Sequence, residues 1–187
     1  MRVEGSLVIC ESCDSRFNRP SAKTLSGTPF TDVSENSVYA AAIRWVFQKN
    51  LMNGTSGTTF APDLTLDKAM LATLLHRLAG KPAVNFRPVF SDVGADLWYS
   101  LGVIWASDNN IVAAEGGTMF APTHRLSKEE LATSLQHFAR FCGQNSGTDM
   151  ESAMAWAVQN SLLSGGGAPS DPATRGDAAM FLHYFTQ

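Results

Sequence analysis

Three cations recur at equivalent places along this chain: Lys68, Lys128 and Arg175. Each follows a residue with a short oxygen side chain, namely Asp67, Ser127 and Thr174. Such residues cap helix N-termini, where their oxygen accepts a bond from an exposed backbone N–H. Ser127 has Glu130 three residues on, and Thr174 has Asp177, the spacing of a capping box. A cation in the first helical turn opposes the helix dipole by roughly 0.3–1 kcal/mol. Packing of the stems on a neighbour, with the charged heads in water, accounts for the length of these side chains. It does not account for a positive charge in all three copies. Free backbone N–H groups beside a cation form a pocket for a carboxylate or phosphate, so the chemistry expected here is anion binding.

Nothing comparable points to catalysis. The sequence contains no G-x-S-x-G or H-E-x-x-H element, and no P-loop lysine follows Gly116-Gly117 or Gly165–Gly167. His76, His124, His137 and His183 share no metal-ligand spacing. Cys10 and Cys13 form one C-x-x-C pair without the second pair that a structural zinc site needs, so a local disulfide or two inert thiols is preferred. The expectation is a non-catalytic protein with no cofactor and no metal.

The elements that position these cations come from an internal repeat. Phe30-Thr-Asp32-Val33 returns as Phe90-Ser-Asp92-Val93, Trp45 as Trp105, Phe60-Ala-Pro62 as Phe120-Ala-Pro122, and Leu66-Asp-Lys68 as Leu126-Ser-Lys128, always sixty residues on. Eighteen of the fifty positions from Phe30 to Ala79 match their partners. A weaker third copy surrounds Trp156 and Arg175. Its tryptophan lies 19 positions before the cation, against 23 in the other two, so its loop is four residues shorter.

Each copy reads as helix, loop, helix. Tyr39, Ala42, Ile43, Val46 and Phe47 fall on one helical face, as do Leu71, Leu74, Leu75 and Leu78, and Leu131, Leu135 and Phe138. Asn50 to Gly57 carries the Asn and Gly that end helices and make turns. Phe60 and Pro62 are expected in an extended stretch, because proline disfavours the helical region for the residue before it. Trp45, Trp105, Trp156, Phe60 and Phe120 are assigned to the core. Helix pairs this small cannot bury their apolar faces alone, whereas three packed together can. The divisions expected are a flexible lead-in over 1–29, repeats over 30–80 and 90–142, and a shortened repeat over 143–187.

Taken in order, Phe-Ser-Asp-Val, Trp-Tyr, a helix ending in Trp-Ala, a Gly-containing loop, Phe-x-Pro and a Thr-Arg-Ala-Glu-like element resemble the S-layer homology family over residues 30–187. The resemblance implies an all-α fold of three helix-loop-helix repeats in a pseudo-three-fold assembly. It implies a cell-surface module that binds pyruvylated secondary cell-wall polysaccharide in grooves between repeats. The basic residue of the Thr-Arg-Ala-Glu element is then the main ligand contact. Thr174-Arg175-Gly176-Asp177 fits that element well. Ser127-Lys128-Glu129-Glu130 keeps cap and charge, and Asp67-Lys68-Ala69-Met70 keeps both but loses the acid. Lysine keeps the charge without the bidentate fork of arginine. The aromatic of the Trp-Tyr pair is Trp98, suited to stacking on a sugar face. Val38 stands at its first-repeat position and Asp149 at its third. For Asp32 and Asp92 the resemblance points to sugar hydroxyls, while Asp after Phe-Thr or Phe-Ser suits a turn or cap equally.

Composition is consistent with this and excludes other classes. The chain has 187 residues, 44% hydrophobic and 17% charged, with net charge -3. It has no basic stripe for nucleic acid and no apolar stretch for membrane insertion. Leu7-Val8-Ile9-Cys10 is too short for the apolar region of a signal peptide, so none is visible. The alternative is a decayed repeat protein that keeps the fold, has lost its glycan sites, and serves as a structural or protein-interaction module.

Overall fold

The computed structural model describes residues 25–144, 153–160 and 167–186. Among them, six helices carry the regular structure: α1 Ala40–Gln48, α2 Lys68–Leu78, α3 Ser100–Asp108, α4 Lys128–Phe141, α5 Ala153–Gln159 and α6 Arg175–Phe185. The only strand-like pairings among the described residues are isolated bridges. Cys10, Cys13 and Asp149 lie outside the described residues.

The helices start and stop where local chemistry says they should. Asp67 accepts the Met70 N–H at the head of α2, and Ser127 and Thr174 form full capping boxes with Glu130 and Asp177 at the heads of α4 and α6. Past α1 and α3, Asn50 and Asn110 each adopt a left-handed φ of 54°. Asparagine tolerates that conformation, and the chain turns there.

The expected faces are the buried ones. Ala42, Ile43 and Val46 are buried on α1, Leu71, Leu74 and Leu75 on α2, and Leu131, Leu135 and Phe138 on α4. Phe60, Phe120, Trp105 and Trp156 are core residues, and Trp45 packs at the core's edge against His183. Three helix pairs pack together: α3 on α2, α5 on α4, and α1 on α6. Two glycines permit this closeness. A Cβ on Gly102 would come within 3.0 Å of the Thr73 backbone, and one on Gly176 within 2.9 Å of the Tyr39 ring.

The three segments leading into α2, α4 and α6 also meet. Leu66 N–H donates to the Ala173 carbonyl (2.8 Å), Ala173 N–H to Leu126 (2.8 Å), and Leu126 N–H to Leu66 (2.9 Å). Each segment thus satisfies the next, and the third satisfies the first. The buried Leu66, Leu126 and Ala173 side chains accompany these bonds. Main-chain groups removed from water must be paired, and here the pairing itself joins the three segments.

Two expectations need correction. Ala61 and Ala121, which precede the prolines, are not extended. They sit at φ 57° and 58°. A carboxylate holds each bend, as described below. Residues 25–29 also do not belong to a flexible lead-in. Leu25 is fully buried in the core, its N–H donates to Phe30 (3.2 Å), and Arg44 reaches the Ser26 carbonyl (2.9 Å). A single leucine in a polar run carries no periodicity, so the pattern could not reveal it.

Candidate functional site

Each helix start bearing a cation is docked into a loop distant in sequence. The N–H groups of Lys68 and Ala69 donate to His124 and Pro122 carbonyls (3.1 and 3.0 Å). Those of Lys128 and Glu129 donate to Asp171 and Pro169 (2.8 and 3.0 Å), and those of Arg175 and Gly176 to Leu64 and Pro62 (3.0 and 2.8 Å). The third N–H of each helix goes to the cap. The expected pocket of free backbone N–H groups is therefore not formed, because the neighbouring repeat supplies carbonyls to them. Any anion site rests on side chains.

The cations themselves reach into the neighbour. Arg175 is only 9% exposed. Its Nε donates to the Phe60 carbonyl (3.0 Å), its Nη2 to Asn53 (2.7 Å), and its guanidinium lies 4.7 Å from the centroid of the Phe60 ring. Burial pushes the guanidinium's pKa down, and the Asp32 carboxylate works against this. Lys68, 7% exposed, places Nζ 3.4 Å from the Phe120 carbonyl and 3.7 Å from Glu115. Lys128 stands beside Gly167 and Asp171: a Cβ on Gly167 would lie 2.8 Å from its Nζ and against the Asp171 carboxylate. Gly167 has φ +98°, so both space and backbone favour glycine there.

Asp32 and Asp92 hold the loops that receive these cations. Asp32 accepts the N–H of Phe60 and of Ala61 (2.9 and 2.7 Å), and Asp92 those of Phe120 and Ala121 (3.0 and 2.7 Å). Both carboxylate oxygens are thereby engaged, and the geometry is that of a turn anchor. Burial works to raise the Asp92 carboxyl, but the Phe120 and Ala121 N–H groups, aided by the Lys68 charge, hold it below its usual range.

Trp98 is 63% exposed, edge-on to Tyr99 at 5.1 Å between ring centroids. It lines a cleft of about 460 Å³ whose walls also include Arg175, Asn53, Thr55, Met70, Thr73 and Arg77. The aromatic, the cation and the helix wall therefore come from stretches of the chain far apart in sequence. Among the described residues no carboxylate lines this cleft, and two arginines do. Arg77 went unrecognised in the sequence. It lies on α2 and donates to the Leu51 carbonyl (3.2 Å), and only its place opposite Arg175 makes it notable. Asn53 and Thr55 were equally hidden in a loop of turn-forming residues.

Lys68 lines a second cleft of about 430 Å³. Ala113, Glu115, Glu130, Thr133 and His137 occupy the positions sixty residues after Asn53, Thr55, Met70, Thr73 and Arg77. The walls match in position and differ in charge, since Glu115, Glu129 and Glu130 all line it.

Among the described residues no His, Cys, Asp and Glu cluster could hold a metal ion, and no helix is long and apolar enough to cross a membrane.

Comparison with known proteins agrees with this architecture. The model of the S-layer homology domain matches residues 29–69 and 89–132, the two copies that also match each other. A cell surface protein of Thermoanaerobacter kivui is 27% identical over 104 residues, covering 53% of this chain and 14% of its own length. The surface-layer 125 kDa protein of Lysinibacillus sphaericus is 27% identical over 176 residues, covering 83% of this chain and 15% of its own. An endoglucanase of Bacillus sp. (strain KSM-635) is 28% identical over 104 residues, covering 56% and 11%. The chain thus corresponds to a small part of each of these larger proteins.

Proposed function

We propose that this chain, with its two S-layer homology domains, is a non-catalytic module that holds its protein on the bacterial cell surface by binding an anionic cell-wall polysaccharide. The ligand is read as pyruvylated secondary cell-wall polysaccharide. Its carboxylate meets Arg175 and Arg77, and a sugar face stacks on Trp98. The observation that carries this reading is the cleft where an exposed tryptophan, a largely buried arginine and a second arginine converge, with no acid among the described residues of its walls. An aromatic platform suits the apolar face of a sugar. Arginine suits a carboxylate, which its fork can hold bidentately.

The third repeat and the pseudo-three-fold arrangement belong to the same reading. The closed triangle of bonds among Leu66, Ala173 and Leu126, and the packing of α1 on α6, support them. So does the similarity to the Lysinibacillus surface-layer protein, which spans more of the chain than the two matched segments. Lys128 is read as the cation of a cleft between the second and third repeats. Asp32 and Asp92 act on the ligand indirectly, by ordering the loops that hold Arg175 and Lys68.

A second reading is favoured at one place. The acids around Lys68 fit a repeat interface that keeps its fold without taking an anion, and there a structural or protein-interaction role fits better. Co-sedimentation of the purified chain with bacterial cell walls, before and after removal of ketal-linked pyruvate, tests the whole. Loss of binding with the pyruvate supports the carboxylate reading. Unchanged binding keeps wall anchoring and moves the ligand off the arginines. Absence of binding favours the protein-interaction reading.

A further inference from the structure

Two clefts of this chain are built from positions sixty residues apart, and they differ in charge. In the first, Thr55 and Met70 stand beside Arg175. In the second, their counterparts are Glu115 and Glu130, and the cation is Lys68. Glu115 is not a loose surface acid. Its Oε1 lies 3.7 Å from Lys68 Nζ and 3.0 Å from His124 Nδ1. The other ring nitrogen of His124 lies 2.9 Å from Glu130. Glu130 is fixed in turn by the Ser127 N–H and hydroxyl (2.8 and 2.9 Å). A chain of contacts from the helix cap through His124 thus presses one carboxylate against Lys68.

That is the position which, in the Arg175 cleft, Thr55 leaves uncharged. We propose that Glu115 is a specificity-determining residue: its carboxylate serves Lys68 as a built-in counter-anion and closes that cleft to anionic saccharides, leaving the Arg175 cleft to take them. An incoming carboxylate would have to displace Glu115 and then sit among Glu129 and Glu130. Like charges brought together in this way discriminate strongly against a ligand. The inference rests on the reading of the Arg175 cleft as an anionic-saccharide site.

The test is a calorimetric titration of the full chain with a saccharide carrying one ketal-linked pyruvate. Wild type is compared with Glu115→Thr, which installs the residue of the open cleft, and Glu115→Gln, which keeps the size and removes the charge. Melting curves of all three establish folding, which the half-exposed position of the Glu115 side chain favours. Both variants should bind one more saccharide per chain than wild type. The added site should be the weaker one, because lysine lacks the fork. An unchanged number of sites in both variants overturns the proposal while leaving the Arg175 reading intact if wild type binds. Binding by the variants but not by wild type upholds the closure of the Lys68 cleft by Glu115 and overturns the Arg175 reading on which the rest of the proposal depends. No binding by any of the three overturns both.

Discussion

The carboxylate of Asp92 accepts the Ala121 N–H at 2.7 Å, and Ala121 sits at φ 58°. Its sixty-residue counterpart, Asp32 with Ala61, repeats both features. A left-handed alanine costs roughly 1–2 kcal/mol, and two bonds from one carboxylate offset this. The bend matters because the carbonyls of Phe60 and Phe120 beside it receive Arg175 and Lys68.

Asp92→Ala should therefore destabilise the chain by about 1–2 kcal/mol. Ala121→Gly added to that variant should recover part of the loss, since glycine enters the left-handed region freely. Denaturant melts of the two variants check this. A neutral Asp92→Ala would remove the anchor role.

Truncation separates the lead-in from the core. Removal of residues 1–24 should leave the melting midpoint unchanged. Removal of 1–29 also deletes the buried Leu25, which should cost about 1.5–3 kcal/mol. Equal midpoints for the two truncations would place Leu25 outside the cooperative core.

Acid sensitivity follows from the carboxylates. Burial works to raise Glu130, but the Ser127 backbone and hydroxyl bonds hold it below its usual range, and Asp92 is likewise depressed. A depressed group contributes stability that is present above its unfolded pKa, about 4, and lost as pH falls through the lower folded value. Burial raises Asp67, which acts in the opposite sense. Melting between pH 6 and about 3 should show the decline, and Asp92→Asn should shallow it. An identical slope in Asp92→Asn would exclude that carboxylate as a source.

Arg175 and Arg77 should respond differently to replacement by alanine. Arg175→Ala leaves the carbonyls of Phe60 and Asn53 without their donor, so stability should fall by about 1–3 kcal/mol along with binding. Arg77→Ala should weaken polysaccharide binding with a smaller change in the melting midpoint. If Arg175→Ala melts like wild type, its bonds across the repeats contribute nothing to stability.

Much of the fold was legible because repetition and helical periodicity are local signals. The caps at Asp67, Ser127 and Thr174, the faces of α1, α2 and α4, and the core aromatics all followed from spacing alone. The site was less legible because its parts belong to different repeats. Sequence order places Trp98 near α3 and Arg175 at the head of α6, and only docking of one repeat against another sets both beside Arg77. The same docking consumes the helix-start N–H groups, which looked free when each repeat was considered by itself. Ala61 and Ala121 escaped because a proline argues for extension, and the carboxylate that overrides it lies twenty-nine residues earlier in each case.

The central claim is that the Trp98–Arg175 cleft holds the anionic glycan. The most direct measurement is the affinity of wild type and Trp98→Ala for the same purified, pyruvylated wall polysaccharide. Trp98 is largely exposed, so its removal should change stability by less than about 0.5 kcal/mol. An unchanged melting curve with affinity lowered by about tenfold or more is expected, as for loss of a central aromatic contact. Undiminished affinity in a folded Trp98→Ala chain would contradict it.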